Sequence, residues 1–530
     1  MLQTSMDYPY ASQRAPVMAR NVVATSQPLA AQAGLRMLLA GGNAVDAAVA
    51  AAITATVVEP VANGIGGDVF ALVWDDGALH GLNASGRSPA AWDAARFAGA
   101  AAMPATGWES VTVPGGVSAW VALSQRFGKL PFARLFEPAI DYARGGYLVS
   151  PTIARQWAAA VRTLGAQPGF ADGFMPGGRA PVAGERFAFP EQAHTLEAIA
   201  ESGGKAFYRG PLAEAIVSDA RRHGAALTMT DLDSHECAWV EPIAQDYRGY
   251  TMYEIPPNGQ GLATLIALGL LDQFDLKRYT ADSVDAIHLQ IEAMKLAFAD
   301  VYAHVADPVH MRIDSRALLA PDYLRQRAAI IDPRRAQAMT TGVPRREGTV
   351  YITAADAGGM MVSLMQSNYR GFGSGVVVPG TGIALNNRGS GFSLDPSHPN
   401  VVAGAKRPFH TIIPGFLTRH GEPAMSFGVM GANMQPQGQV QMLVRMLDHH
   451  QNAQAASDAP RWKITEDQLG VMVEHDFDQG VANALSARGH LVTRAAADST
   501  EFGAAQLIQK VDGGYIGASE KRRDGQAVGF

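Results

Sequence analysis

The sequence predicts an α+β fold, with helices and strands in largely separate stretches, on three observations. An alanine-rich apolar run fills residues 28–60, amphipathic helical segments dominate 114–340, and the texture turns to short strand-like runs at Thr349. Within 28–60, Gly41 and Gly42 end one helix, Asn43 is placed to cap the next, and VDAAVAAAITATVV supplies a buried helical face. The turn NGIGGD follows, and then VFALVW, a strand closed by Asp75, Asp76 and Gly77. Segments such as VDAIHLQIEAMKLAFADVYAHV carry apolar residues at helical spacing through the middle of the chain. From Thr349, TVYITAA and MMVSLMQS are two strands joined at Asp356, Ala357, Gly358 and Gly359, a β-hairpin. Glycine-rich strands come next, and the last hundred residues return to mixed helix and strand.

Bulk properties exclude several classes of function. With 530 residues, 47% hydrophobic and 17% charged, the chain is long and apolar enough for a large core. Its 43 Lys and Arg against 49 Asp and Glu give a net charge of −6 with no basic run, which argues against nucleic acid and anionic membranes as partners. The single cysteine, Cys237, rules out an intramolecular disulfide, a thiolate zinc site and a CxxC redox pair. The first residues contain no apolar core of signal-peptide length, and no later segment is long enough to span a bilayer, so the sequence reads as cytoplasmic.

The familiar site motifs are absent: there is no GxxxxGK[ST] phosphate loop, GxSxG elbow, HExxH zinc helix or complete GxGxxG fingerprint. NGIGGD precedes a strand instead of following one, so it reads as a tight turn with close backbone packing. Cys237, near His235, reads as a small buried hydrophobe, and the adjacent His449 and His450 cannot share a helical face, which makes them surface residues. No metal site and no cofactor are expected.

Thr349 is a different matter. A hydroxyl nucleophile needs a base, and an N-terminal threonine can use its own α-amine, whose pKa of about 8 suits neutral pH. Such a residue must first be freed: its hydroxyl attacks the preceding carbonyl, the peptide shifts to an ester, and water cleaves it. Gly348 permits the strained bond this requires, and the flanking Arg345, Arg346 and Glu347 read as an exposed linker.

A series of segments in order along nearly the whole chain resembles the γ-glutamyltranspeptidase family of N-terminal nucleophile hydrolases. It comprises LAAQAGLRMLLAGGNAVDAAVAA, VVEPVANGIGGD, VPGGVSAW, AFYRG, DYRGYTMYEIPPNGQG, EAMKLAFADVY, GTVYITAADAGG, NNRGSGF, KRPFHTIIPG, FGVMGAN and APRWKI. The resemblance implies a four-layer αββα sandwich made as one proenzyme. Cutting between Gly348 and Thr349 would leave a large subunit, 1–348, and a small one, 349–530, that share one core, with further pairing into a dimer of heterodimers left open. It also implies roles for single residues. Thr349 is the nucleophile, Asn368 helps orient its amine, and the N–H groups of Gly431 and Ala432 form the oxyanion hole, while Gly66 and Gly67 line the same cleft.

The departures from the family pattern bear on substrate. Val350 stands where a threonine usually follows the nucleophile, and Gln366 where a hydroxyl residue is expected. Gly391 replaces the acidic residue that grips a glutamyl α-amino group, and His410 and Thr411 replace the paired serines that hold the α-carboxylate. Arg388 takes a pocket position usually held by an amide, and Arg87 lies near the family's carboxylate-binding arginine, although aligning by the following proline shifts it by two. A pocket of this kind, with Arg87, Gln366, Arg388, His410 and Thr411 as substrate-binding residues, favours a small amide carrying a carboxylate and no ammonium. Oxamate and other dicarboxylic half-amides fit, and the family includes both an oxamate-hydrolysing branch and one that deacylates cephalosporins through a glutaryl side chain. The segment between Phe392 and Lys406 is shorter than the usual lid. The rival readings are a true γ-glutamyltransferase or glutathione hydrolase, and a non-catalytic scaffold that kept only the fold.

Overall fold

Asn43 begins the second helix as its sequence predicts. Its side chain accepts from the N–H of Asp46 while the Asp46 carboxylate accepts from the N–H of Asn43, so two orphan donors satisfy each other. Gly41, at φ +87°, ends the preceding helix, Pro28–Leu39. The helix that follows, Ala44–Val58, is buried at every position, which is why it is apolar all round and has no polar face. The computed structural model describes residues 9–10, 14–338, 349–465 and 470–530; the linker residues Arg345 to Glu347 and Gly348 lie outside the described residues.

Two seven-stranded sheets form the centre. One runs Gln526–Gly529, Val22–Thr25, Val350–Ala355, Met361–Ser367, Asp68–Asp75, Ala78–Asn83 and Ala238–Val240 in spatial order, and we call it the first sheet. The partner sheet runs Val17–Ala19, Gly514–Ser519, Ala504–Val511, Glu422–Met430, Gly415–Arg419, Tyr250–Glu254 and Ile243–Tyr247. Phe70, Tyr351 and Met365 of the first meet Phe416, Met430 and Ile508 of the second in an apolar layer between the sheets. The helices Pro28–Leu39 and Ala44–Val58 cover the outer face of the first sheet, and Gly261–Leu271, Val284–His304 and Met434–Leu447 cover the partner sheet. The fold is the αββα sandwich.

The predicted hairpin is present, with Val350 opposite Gln366 and Ala355 opposite Met361. Period-two alternation then decides what each side chain can reach. Val350, Ile352, Val362 and Leu364 pack under the helices, while Tyr351, Met361 and Met365 face the partner sheet. The middle of the chain is less purely helical than its periodicity suggests. Ile243–Tyr247 and Tyr250–Glu254 form a second hairpin, turned by Arg248 and Gly249 at φ +53° and +81°, a two-residue geometry that matches the twist of antiparallel strands. Because Val350–Ala355 inserts between Val22–Thr25 and Met361–Ser367, residues on both sides of position 349 build each sheet, and neither half closes a core without the other. Among the described residues no helix is long and apolar enough to cross a membrane.

Candidate active site

Thr349 stands immediately before the central strand Val350–Ala355, and only 1% of it is exposed. Its hydroxyl lies between a strand and a helix: Oγ1 points to Ser367 Oγ at 3.4 Å and accepts from Gln435 Nε2 at 3.3 Å. Ser367 ends the neighbouring strand, and Gln435 sits in the first turn of the helix Met434–Leu447.

Just before that helix the chain turns through Gly431 at φ +118° and Ala432 at φ +49°. Alanine in the left-handed region costs about 1–2 kcal/mol, so the surrounding contacts must impose this turn. They do so through its carbonyls. Gly431 O accepts from Met434 N at 2.9 Å, and Ala432 O accepts from Gln435 N at 3.1 Å and from Gln260 Nε2 at 2.8 Å. Among the described residues neither N–H of the pair donates to these turn bonds. With both carbonyls held, the peptide planes of the turn are fixed in direction.

Asn368 follows Ser367, fully buried. Its Nδ2 reaches Ala384 O at 3.5 Å, and Oδ1 has no hydrogen-bond partner among the described residues. The turn NGIGGD packs against it closely, as expected: a Cβ on Gly67 would fall 2.7 Å from Oδ1 of Asn368, and one on Gly66 2.5 Å from Ala384 O. Only glycine leaves room there.

Arg388, His410 and Thr411 are brought together, around a residue that motif reading overlooked. Asp68, fully buried at the start of its strand, accepts at Oδ1 from Gly86 N and Gly115 N at 3.2 and 3.0 Å. Its Oδ2 lies 3.1 Å from His410 Nε2 and 3.9 Å from Arg388 Nε. Arg388 Nη1 donates to Thr411 Oγ1 at 2.9 Å, and the guanidinium stands over the ring of Tyr369. Burial, reinforced by Arg388, pushes the His410 imidazole down to about 4, so it is neutral near pH 7. Ile412 N–H faces Nδ1, which leaves the ring proton on Nε2, directed at Asp68. The cationic wall expected from sequence therefore carries its own counter-charge.

Two expected substrate ligands are placed elsewhere. Gln366 has the wrong strand parity and faces the helices. Its Nε2 donates to Ala52 O and Asn63 Oδ1 while its Oε1 accepts from Trp120 Nε1, so the whole amide is spent in the core. Ser367, one residue later, is the side chain that faces Thr349. Arg87 has its side chain 43% exposed and pairs with Asp307 at 2.9 Å and Ala405 O at 3.0 Å; the buried position two residues earlier belongs to Ser85. A cavity of about 340 Å³ opens beside the Gly431–Ala432 turn, lined by Tyr369, Arg370, Gly391, Phe392, Phe409 and Asn433 among others.

Residues 30–530 match the model of the family described as Gamma-glutamyltranspeptidase. The chain belongs to the γ-glutamyltranspeptidase family. It is 38% identical to the glutathione hydrolase-like YwrD proenzyme of Bacillus subtilis, over 96% of this chain and 98% of that one. It is 36% identical to the oxamate amidohydrolase proenzyme of Klebsiella pneumoniae, over 95% and 97%. The crystal structure of a cephalosporin acylase from Bacillus halodurans superposes with a TM-score of 0.94 at 47% identity, covering 99% of each chain. This γ-glutamyltranspeptidase-family chain is an amidohydrolase.

A second buried polar cluster lies away from the cleft of this family member. His288, Glu292 and His490 bring possible ligand atoms within 4.8 Å of one another, an arrangement absent from the sequence-derived candidates because its parts lie about two hundred residues apart. Lys295 sits among them, with Nζ 2.8 Å from Glu292 Oε1 and 3.4 Å from His490 Nδ1. His288 Nε2 faces the Asp332 carbonyl, and Glu292 and Lys295 bind the backbone of Gln337, so the cluster anchors the last described residues before position 339. Burial holds both imidazoles below their usual value. These histidines and His410 give the protein a defined acid response. The unfolded chain takes up protons near pH 6.5 and the folded one only lower, so their stabilisation is complete above about 6.5 and is lost as pH falls towards 4. His410 alone contributes up to about 1.4 kcal/mol per pH unit across that window. Thermal melts of His410→Gln should therefore lose less Tm between pH 7 and pH 4 than the wild type does, and an identical fall would contradict the buried neutral imidazole.

Proposed function

We propose that the chain is a proenzyme that cuts itself between Gly348 and Thr349 and then hydrolyses small amides whose acyl part carries a carboxylate. The observation that carries the reading is the meeting of Thr349 Oγ1, at the head of a central strand, with a helix that begins at a left-handed turn offering two fixed N–H groups. In turnover the Thr349 hydroxyl attacks the substrate carbonyl. The freed α-amine, with Asn368 beside it, takes the proton and passes it to the leaving amine. The N–H groups of Gly431 and Ala432 stabilise the tetrahedral oxyanion, and water releases the acid from the ester. The proposed products of the cut are subunits 1–348 and 349–530, which share both sheets.

The donor character of the wall around Arg388 supports a carboxylate-bearing acyl group. A guanidinium, the Thr411 hydroxyl and a neutral imidazole N–H are gathered there, and Asp68 is already engaged by two backbone N–H groups and His410. Gly391, with no side chain, leaves that rim without a group to hold a substrate ammonium. The oxamate and cephalosporin relatives are in keeping with this reading. One observation favours the alternative, a glutathione hydrolase: Asp68 puts a carboxylate within the wall, and the B. subtilis relative is named for that activity.

A substrate panel separates them. Oxamate and glutaryl anilides should be hydrolysed with kcat/KM at least about 10-fold above γ-glutamyl anilides, a gap of about 1.4 kcal/mol in transition-state binding. The reverse order, with release accelerated by amino-acid acceptors, would establish the glutathione reading instead.

A further inference from the structure

We propose that Gln435 is a catalytic residue that holds the Thr349 hydroxyl in its attacking rotamer, both for the cut that frees the N-terminus and for later turnover. The proposal rests on the reading of Thr349 as nucleophile and adds to it a side chain for which the sequence motifs offered no role.

The Gln435 side chain is fully buried and fixed at both ends of its amide. Oε1 accepts from the backbone N–H of Ile413 at 3.1 Å, and Nε2 donates to Thr349 Oγ1 at 3.3 Å. A backbone N–H can only donate, so Ile413 determines which end of the amide is oxygen and leaves the NH2 group facing Thr349. This orientation has two chemical consequences. Oγ1 receives a donor, so its own proton is turned away from Gln435, on the side where Ser367 Oγ lies 3.4 Å off. The donor also restricts χ1 of a β-branched side chain to one of its wells, removing a search that would otherwise precede each attack.

Position reinforces the argument. Gln435 comes three residues after Ala432, and its own N–H closes on the Ala432 carbonyl at 3.1 Å. One short stretch of backbone therefore sets both the direction of the oxyanion donors and the nucleophile they serve. Ile413 belongs to the segment that follows His410 and Thr411, so the same amide ties the acyl-binding wall to the reacting oxygen.

The test uses the full-length chain with Gln435→Met, which keeps length and volume but has no donor, and Gln435→Glu, which keeps an acceptor for Ile413 N–H but offers Thr349 no amide N–H. Loss of one positioning hydrogen bond should slow precursor cutting at least about 10-fold, and lower kcat of the matured fraction by a similar factor while KM changes less than about twofold. Tm should fall only modestly in Gln435→Met, where Ile413 N–H keeps Met365 Sδ at 3.2 Å, and a structural role alone would lower Tm without splitting kcat from KM. Wild-type cutting and kcat in Gln435→Met would overturn the proposal. If Gln435→Met does not fold, Gln435→Glu decides by the same two readings. A wild-type chain that is never cut, in contrast, would remove the nucleophile reading itself.

Discussion

Thr349→Ala should remain a single uncut chain and lose at least about 10⁴-fold in amide hydrolysis, because under the proposed mechanism it removes the group that attacks in both reactions. Alanine keeps Cβ but loses both the hydroxyl and the Cγ2 methyl of a residue that is 1% exposed, a small deletion that should leave the fold in place with a modest fall in Tm. Its hydroxyl makes two long hydrogen bonds, to Ser367 and Gln435, and losing them costs on the order of 1 kcal/mol. The effect on chemistry thus greatly exceeds the effect on stability. A denaturing gel, an amide assay and a thermal melt on the same preparation check all three parts.

Asp68→Asn should have the opposite profile, striking the fold as hard as the activity. The carboxylate is the near counter-charge of Arg388, which is fully buried, and it also receives Gly86 N, Gly115 N and His410 Nε2. Removing one partner of a buried pair strands the other charge and costs about 3–5 kcal/mol. The amide oxygen introduced by the substitution could still accept the two backbone donors, which separates the loss of charge from the loss of hydrogen bonds. The double variant Asp68→Asn with Arg388→Met removes both charges and should recover part of the lost Tm, while amide hydrolysis stays low because the acyl wall has lost its guanidinium. A single variant as stable as wild type would show that Arg388 does not depend on Asp68.

The parts of this fold that were legible in the sequence are local ones. The Asn43 cap, the Gly41 stop, the hairpin from Val350 to Ser367 and the close-packed NGIGGD turn each follow from residues a few positions apart, whose conformational preferences act without the rest of the chain. A motif can mark backbone, as at Gly431 and Ala432, where the chain turns through positive φ. Sequence says less where the outcome turns on which way a side chain points. Gln366 and Ser367 are equally plausible neighbours of a nucleophile until strand parity assigns one to the helices and the other to Thr349. Asp68 lies within a quoted motif, yet its partners come from positions 388 and 410, and no local pattern announces a pairing across more than three hundred residues. Gln435 was hidden for the same reason: MQPQG reads as a polar helix start, and only the packing of two sheets brings that helix to residue 349.

The central claim is that position 349 becomes an N-terminus and supplies the nucleophile. The most direct measurement is the N-terminal sequence and intact mass of the fragments from purified wild-type protein. The account predicts two chains, with the smaller beginning Thr349-Val350-Tyr351 and the larger ending at Gly348. A single full-length chain after prolonged incubation, or a small fragment beginning at any other residue, would contradict it.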